Sequence, residues 1–134
     1  VDAHGIVVFV ATRLVNPLNT WETGYTRNAR AQRQRETTSL AVWAALRNPH
    51  GPGLRWTITR RDAPKAVHLL AHVARRFDSH DNLRAACKPL VDGLRDAGVI
   101  HDDRDSAGHV FTYDQVVDGR RGVTLTIHLR EEPA

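Results

Sequence analysis

The chain has one cysteine, Cys87, in 134 residues, so no intrachain disulfide and no cysteine-built zinc site can form. A lone thiol on the apolar face of a helix is expected to be an inert, small apolar group, which suits a reducing cytoplasm. Lysine is nearly as scarce. Lys65 and Lys88 are the two present, and arginine supplies the rest of the positive side of a net charge of +4. A compositional bias that replaces lysine with arginine explains this, and it makes a lysine kept in mid-helix more conspicuous. Arginine suits bidentate phosphate contacts, and a basic chain points to a polyanionic partner. No apolar run approaches the ~20 residues that span a bilayer. The opening VDAHGIVVFVATR lacks a basic leading region and a small-residue cleavage site, so it reads as a strand rather than a signal peptide. No repeat or dividing linker is present, and residues 1–134 are expected to form one domain. A Gly-rich phosphate loop, a nucleophile elbow and a dinucleotide fingerprint are also missing.

What is present reads as alternating elements. Gly5–Ala11 is apolar and β-branched and predicts a buried strand; a loop follows through Asn16, Pro17, Asn19 and Gly24. Ala29–Leu46 predicts a helix, capped by Thr26 or Asn28, with Leu40, Val42, Trp43, Ala44 and Leu46 as its apolar face. Arg27, Arg30, Arg33 and Arg35 crowd its first half, either as a solvated face or as a phosphate-contacting arm. After the breaker NPHGPG, Leu54–Arg60 alternates as a strand, and Val67–Ala74 is expected to pair with it. Asn82–Ala97 is the clearest helix: Leu83, Ala86, Cys87, Leu90, Val91 and Leu94 form one stripe. Asp81 or Asn82 is its expected N-cap, Gly98 its left-handed C′ residue, and Pro89 predicts a kink. Val110–Val117 and Val123–Leu129 predict two strands joined as a hairpin by DGRRG. The expected order is β-α-β-β-α-β-β, an α+β domain with a small mixed sheet and helices on one face.

Acidic residues flank the second helix. Asp78 and Asp81 precede it; Asp102, Asp103 and Asp105 follow. Carboxylate oxygens are hard ligands suited to Mg²⁺ or Mn²⁺, and such an ion can polarise a phosphoryl oxygen and generate hydroxide. Helix capping and solvated loops account for the same residues nearly as well. Lys88 lies seven residues after Asp81, on the same helix side. It could meet a phosphate or form an ion pair with Asp92.

The order ITR, RRFDSHDNL, KPLVDGLRDAGVI, HDD resembles the RusA family of Holliday junction resolvases, small endodeoxyribonucleases of bacteria and phages. The likeness runs from about Leu54 to the C-terminus, and more loosely includes RLVNPLNTWE and the arginines after it. The resemblance implies a RusA-like fold and a homodimer with a carboxylate-built Mg²⁺ site. It implies paired nicking of branched DNA in recombination and repair, and a cytoplasmic location. By this resemblance Asp78, Asp81 and Asp103 match the catalytic, metal-binding aspartates, with Asp102 beside them, and Lys88 matches the helix lysine. The arginines of the DNA surface would be Arg27, Arg30, Arg33, Arg35, Arg75 and Arg76. The chain departs from the pattern at two places. The family's first aspartates are spaced Asp-x-Asp but here read Asp78-Ser79-His80-Asp81, and the lysine comes one helical turn later.

Two other metal readings fail. Asp103–Asp114 imitates a calcium loop but has Ala107 where an oxygen ligand belongs and lacks the closing glutamate. The eight histidines, including His68, His72, His80 and His101, form no zinc pattern and read as scattered surface residues. The alternative to a nuclease is a branched-DNA-binding domain without catalysis.

Overall fold

The computed structural model describes residues 5–15, 24–47, 64–101 and 108–130. Within them the order is β1 (Gly5–Val10), α1 (Gly24–Leu46), β2 (Lys65–Val73), α2 (His80–Asp96), β3 (Val110–Val117) and β4 (Gly122–Leu129). This is an α+β arrangement that agrees with the expected order at every described element. The strand expected at Leu54–Arg60, and its pairing with the next, lie outside the described residues.

The four strands form one mixed sheet in the order β1-β4-β2-β3. β2 is central: it pairs parallel with β3, Val73 opposite Val117, and antiparallel with β4, Leu69 opposite Leu125. β1 pairs antiparallel with β4, Val8 opposite Leu125. The expected β3–β4 hairpin is therefore not formed. The DGRRG segment instead crosses the end of β2, whose Val73 carbonyl accepts from the Asp118 and Gly119 amides at 3.2 and 3.3 Å. Local turn chemistry had suggested adjacency, but strand β2 is more apolar than either neighbour and takes the buried central position. The strand expected at Val67–Ala74 is observed as Lys65–Val73, with alternate members Val67, Leu69, Ala71 and Val73 buried.

One sheet face carries Val8, Val10, Val67, Leu69, Ala71, Val123, Leu125 and Ile127 into a core shared with both helices. α2 contributes its predicted stripe, with Leu83, Ala86, Cys87, Leu90, Val91 and Leu94 all buried. Burial pushes the Cys87 thiol up to about 12, which keeps it protonated and unreactive. The helix runs through Pro89 without interruption. Its end is a Schellman motif: Gly98 has φ +83°, and the Gly98 and Val99 amides reach the Arg95 and Leu94 carbonyls at 3.1 and 3.0 Å.

Helix α1 differs from its prediction. It begins at Gly24, so Thr26 and Asn28 lie inside it, and its buried stripe is Gln34, Thr38, Val42 and Leu46. Leu40 is 70% exposed and Trp43 48% exposed; Ala44 is exposed too. Four-residue spacing through polar Gln34 and Thr38 decides the face, and Trp43 is covered by the Arg47 guanidinium 4.1 Å from its ring centroid. Thr38 is tolerated inside because its hydroxyl donates to the Gln34 carbonyl at 2.8 Å. Among the described residues no helix is long and apolar enough to cross a membrane.

The two helices touch at Gly93. A Cβ there would lie 2.7 Å from the Arg35 carbonyl oxygen and 2.8 Å from Thr38 Cβ. Gly93→Ala is therefore expected to force the helices apart and to lower stability by about 1–3 kcal/mol, read as a lower urea midpoint at unchanged slope. Next to this contact, the Arg35 guanidinium grips Asp96 with two hydrogen bonds, Nη2 donating to Oδ1 at 2.7 Å and Nε to Oδ2.

That fork, with burial working against it, holds the Asp96 carboxyl below its ordinary range. A carboxyl lowered on folding stabilises the protein above its unfolded-state pKa of about 3.9 and loses that contribution as pH falls through its folded value. Both side chains are about one-third exposed (32% and 36%), which limits the pair to about 1 kcal/mol. The stability gap between wild type and Asp96→Asn, measured by urea melts, is expected to be present at pH 7 and to close below about pH 4.

Candidate functional site

The segment between β2 and α2 is fixed from both sides. Gln115 on β3 reads the backbone of Phe77: its Oε1 accepts from the Phe77 amide at 2.8 Å and its Nε2 donates to the Phe77 carbonyl at 3.2 Å. Ser79 is extended (φ −138°, ψ 154°) and its hydroxyl oxygen accepts from the Asn82 amide at 3.1 Å. Ser79 is thus the N-cap, in place of the expected Asp81 or Asn82. Its β-region backbone and short hydroxyl meet the capping geometry two or three residues earlier than the sequence pattern suggested. Asp78 falls just before the cap, and Asp81 lies in the first turn. Both are exposed, and Asp81 is favoured there by the helix dipole.

Two concavities lie on either side of this turn. The first, about 460 Å³, is a cleft lined by Arg13, Arg75, Arg76, Arg121 and His72, with Asp78 among its walls. Arg13 follows β1, and its carbonyl accepts from the Gln34 side chain of α1 at 3.0 Å. Arg121 ends the segment that crosses β2 and has φ +50°, a left-handed conformation costly for a side-chain-bearing residue. His72 is buried at 7% exposure and ties the crossing segment to the sheet. Its Nδ1 lies 2.7 Å from Asp118 Oδ2 and its Nε2 2.7 Å from Thr124 Oγ1. A carboxylate only accepts, so Nδ1 carries the proton and, in the neutral ring, Nε2 accepts from the threonine. The His72 bond, followed by the Arg120 amide at 3.1 Å, lowers the Asp118 carboxyl from its ordinary range.

The second concavity, also about 460 Å³, is a groove between α2 and β3, lined by His80, Arg84, Lys88 and Val91 on one side and His109, Val110, Phe111 and Tyr113 on the other. His80 meets Tyr113 edge to face at 6.0 Å between centroids. Burial raises the Tyr113 hydroxyl above its ordinary pKa, against the pull of the nearby Arg84 guanidinium. Lys88 donates to Asp92 Oδ1 at 3.1 Å, the ion pair that the sequence left open. His109 is 6% exposed; its Nδ1 accepts from the Lys65 amide at 3.1 Å, and its ring packs on His101 at 5.3 Å. His72 and His109 are thus buried, and the reading of the histidines as scattered surface residues fails for both.

Asp81 follows His80, which lines this groove, and His101 packs on His109, which lines it too. Asp102, Asp103 and Asp105 themselves lie outside the described residues. Among the described residues no group of three His, Cys, Asp or Glu is placed to hold a metal ion. Asp78 and Asp81 still have the right chemistry. Mg²⁺ prefers carboxylate oxygens, keeps several waters and commonly takes one or two carboxylates from the protein.

The predicted arginines divide. Arg75 and Arg76 line the cleft. Arg27, Arg30 and Arg33 lie along α1 and line neither concavity, and Arg35 is committed to Asp96. Sequence reasoning missed Arg13 and Arg121 because they are distant in the chain and converge only through the β1-β4-β2 order. In comparisons with known proteins, no family model and no curated sequence matches the chain.

Proposed function

We propose that the chain is a Mg²⁺-dependent, structure-selective endodeoxyribonuclease that resolves branched DNA such as Holliday junctions by paired nicks, working as a homodimer in DNA recombination and repair. The observation that carries this reading is the cleft in which Arg13, Arg75, Arg76 and Arg121 converge beside Asp78. Four arginines lining one concavity suit the oxygens of successive phosphates. The carboxylate beside them has no such use for itself, but it suits a cation brought to the phosphodiester. A bound Mg²⁺, held by Asp78 and Asp81 and, on the motif order, by Asp102 and Asp103, would polarise the phosphoryl oxygen and supply hydroxide.

The chain's own groups do the rest. The arginines hold the backbone in register, and Gln115 and Ser79 fix the acidic turn. Lys88 exchanges Asp92 for a phosphate oxygen, an exchange made easy because an exposed ion pair at this spacing is weak. A two-fold pair of such sites accounts for symmetric cuts.

The test is nicking of a synthetic four-way junction by the wild-type protein with and without Mg²⁺. Cutting that requires the metal supports the proposal. Binding without any Mg²⁺-dependent cutting sinks it and leaves the branched-DNA-binding domain.

A further inference from the structure

The arginine cleft lies on one side of the α2 N-terminal turn; of the groove on the other side, the proposed reaction uses Lys88 and leaves the aromatic wall without a role. We propose that the groove between α2 and β3 receives the base of an unpaired nucleotide, stacked against Phe111 and Tyr113, with its phosphate at Arg84 and Lys88. This rests on the reading of the chain as a DNA-binding protein but not on its cutting DNA.

The two walls differ in kind. His80, Arg84 and Lys88 recur every four residues on the helix, and His109, Phe111 and Tyr113 recur every second residue into and along the strand. The first spacing lines cationic and imidazole groups along one helix face, and the second lines rings along one strand face. Among the described residues no carboxylate lines the groove, and a phosphate at Lys88 takes the place of Asp92 in an exposed ion pair. Its volume of about 460 Å³ falls in the ~300–1,000 Å³ span of small-molecule sites. Tyr113 packs against the core and meets the His80 ring edge to face, so an aromatic platform is already in place before a base arrives.

A base inside a duplex has both faces covered by its neighbours and cannot use such a platform; a splayed-out base can. The groove begins at His80, two residues from the Asp78 that lines the arginine cleft. A strand held by its phosphates in the cleft therefore reaches the groove by crossing the acidic turn. The arrangement selects DNA that can release a base near a branch over uninterrupted duplex.

The experiment compares, by fluorescence anisotropy in EDTA, a duplex bearing one unpaired adenine with the same duplex bearing an abasic residue there. Wild type is expected to bind the adenine form about tenfold more tightly, the scale of one stacked base. Phe111→Leu and Tyr113→Leu keep apolar bulk but remove a ring, and each is expected to bring the ratio towards one, with folding checked by thermal melt. Equal affinity of wild type for the two DNAs, with binding still salt-sensitive, overturns this inference alone. A tenfold preference kept by both variants overturns the assignment to this groove. Absence of DNA binding altogether overturns both this inference and the proposed function.

Discussion

Asp81→Asn is expected to cut a four-way junction at least about 100-fold more slowly than wild type in Mg²⁺, the scale of losing one preorganised charge-stabilising group, while binding the junction as well or better. Ser79, not Asp81, caps α2, so the amide form leaves the cap untouched. Asp81 is exposed in the first turn, and replacing its charge weakens only a helix-dipole contribution of about 0.3–1 kcal/mol. Removing a negative charge beside a polyanion also favours binding. A loss of cutting with binding kept in a folded variant therefore assigns Asp81 to the chemistry. Loss of binding in parallel, with the melting curve unchanged, would remove it from that role. Gel-resolved nicking and anisotropy on the same junction separate the two outcomes.

The double change Arg75→Gln and Arg76→Gln is expected to weaken junction binding by about 100-fold, roughly tenfold for each charge-assisted contact. The slope of log K against log salt is expected to become shallower by about two, because each phosphate contact releases its share of counterions. Both residues are exposed and have little packing to lose. Arg27→Gln with Arg33→Gln provides the contrast. These lie on α1 away from the cleft, and a change in slope as large as that of the Arg75/Arg76 pair would move the DNA path onto α1. A salt slope indifferent to Arg75 and Arg76 would remove the cleft from the interface.

The parts of the molecule visible in the sequence were those set by local periodicity. The α2 stripe, its Gly98 terminus and the alternation of β2 follow from neighbours three, four or two residues apart. What was hidden depends on distant partners. DGRRG has the composition of a hairpin turn, yet the apolar β2 takes the place between β3 and β4. In α1 the sequence offers Leu40 and Trp43 as core residues beside Val42 and Leu46, but the helix keeps Val42 and Leu46 and turns Gln34 and Thr38 inwards with them, Thr38 against Gly93 of α2. The acidic turn and Arg75–Arg76 were legible as motifs. Arg13, Arg121 and the buried His72 were not, since 108 positions separate Arg13 from Arg121 and only the strand order unites them.

That strand order also governs when the molecule can be completed. β1 has β4 as its partner among the described strands, so the earliest strand to be made waits for the latest. α1, β2, α2 and β3 can assemble before it, through the helix contact at Gly93 and the parallel β2–β3 pairing. β1, and with it the Arg13 wall of the cleft, joins after Gly122–Leu129 has closed on β2. Pairing across most of the chain is entropically slow. A chain interrupted before β4 would carry Asp78, Asp81 and Arg75–Arg76 but would leave Arg13 without the strand that docks it beside them.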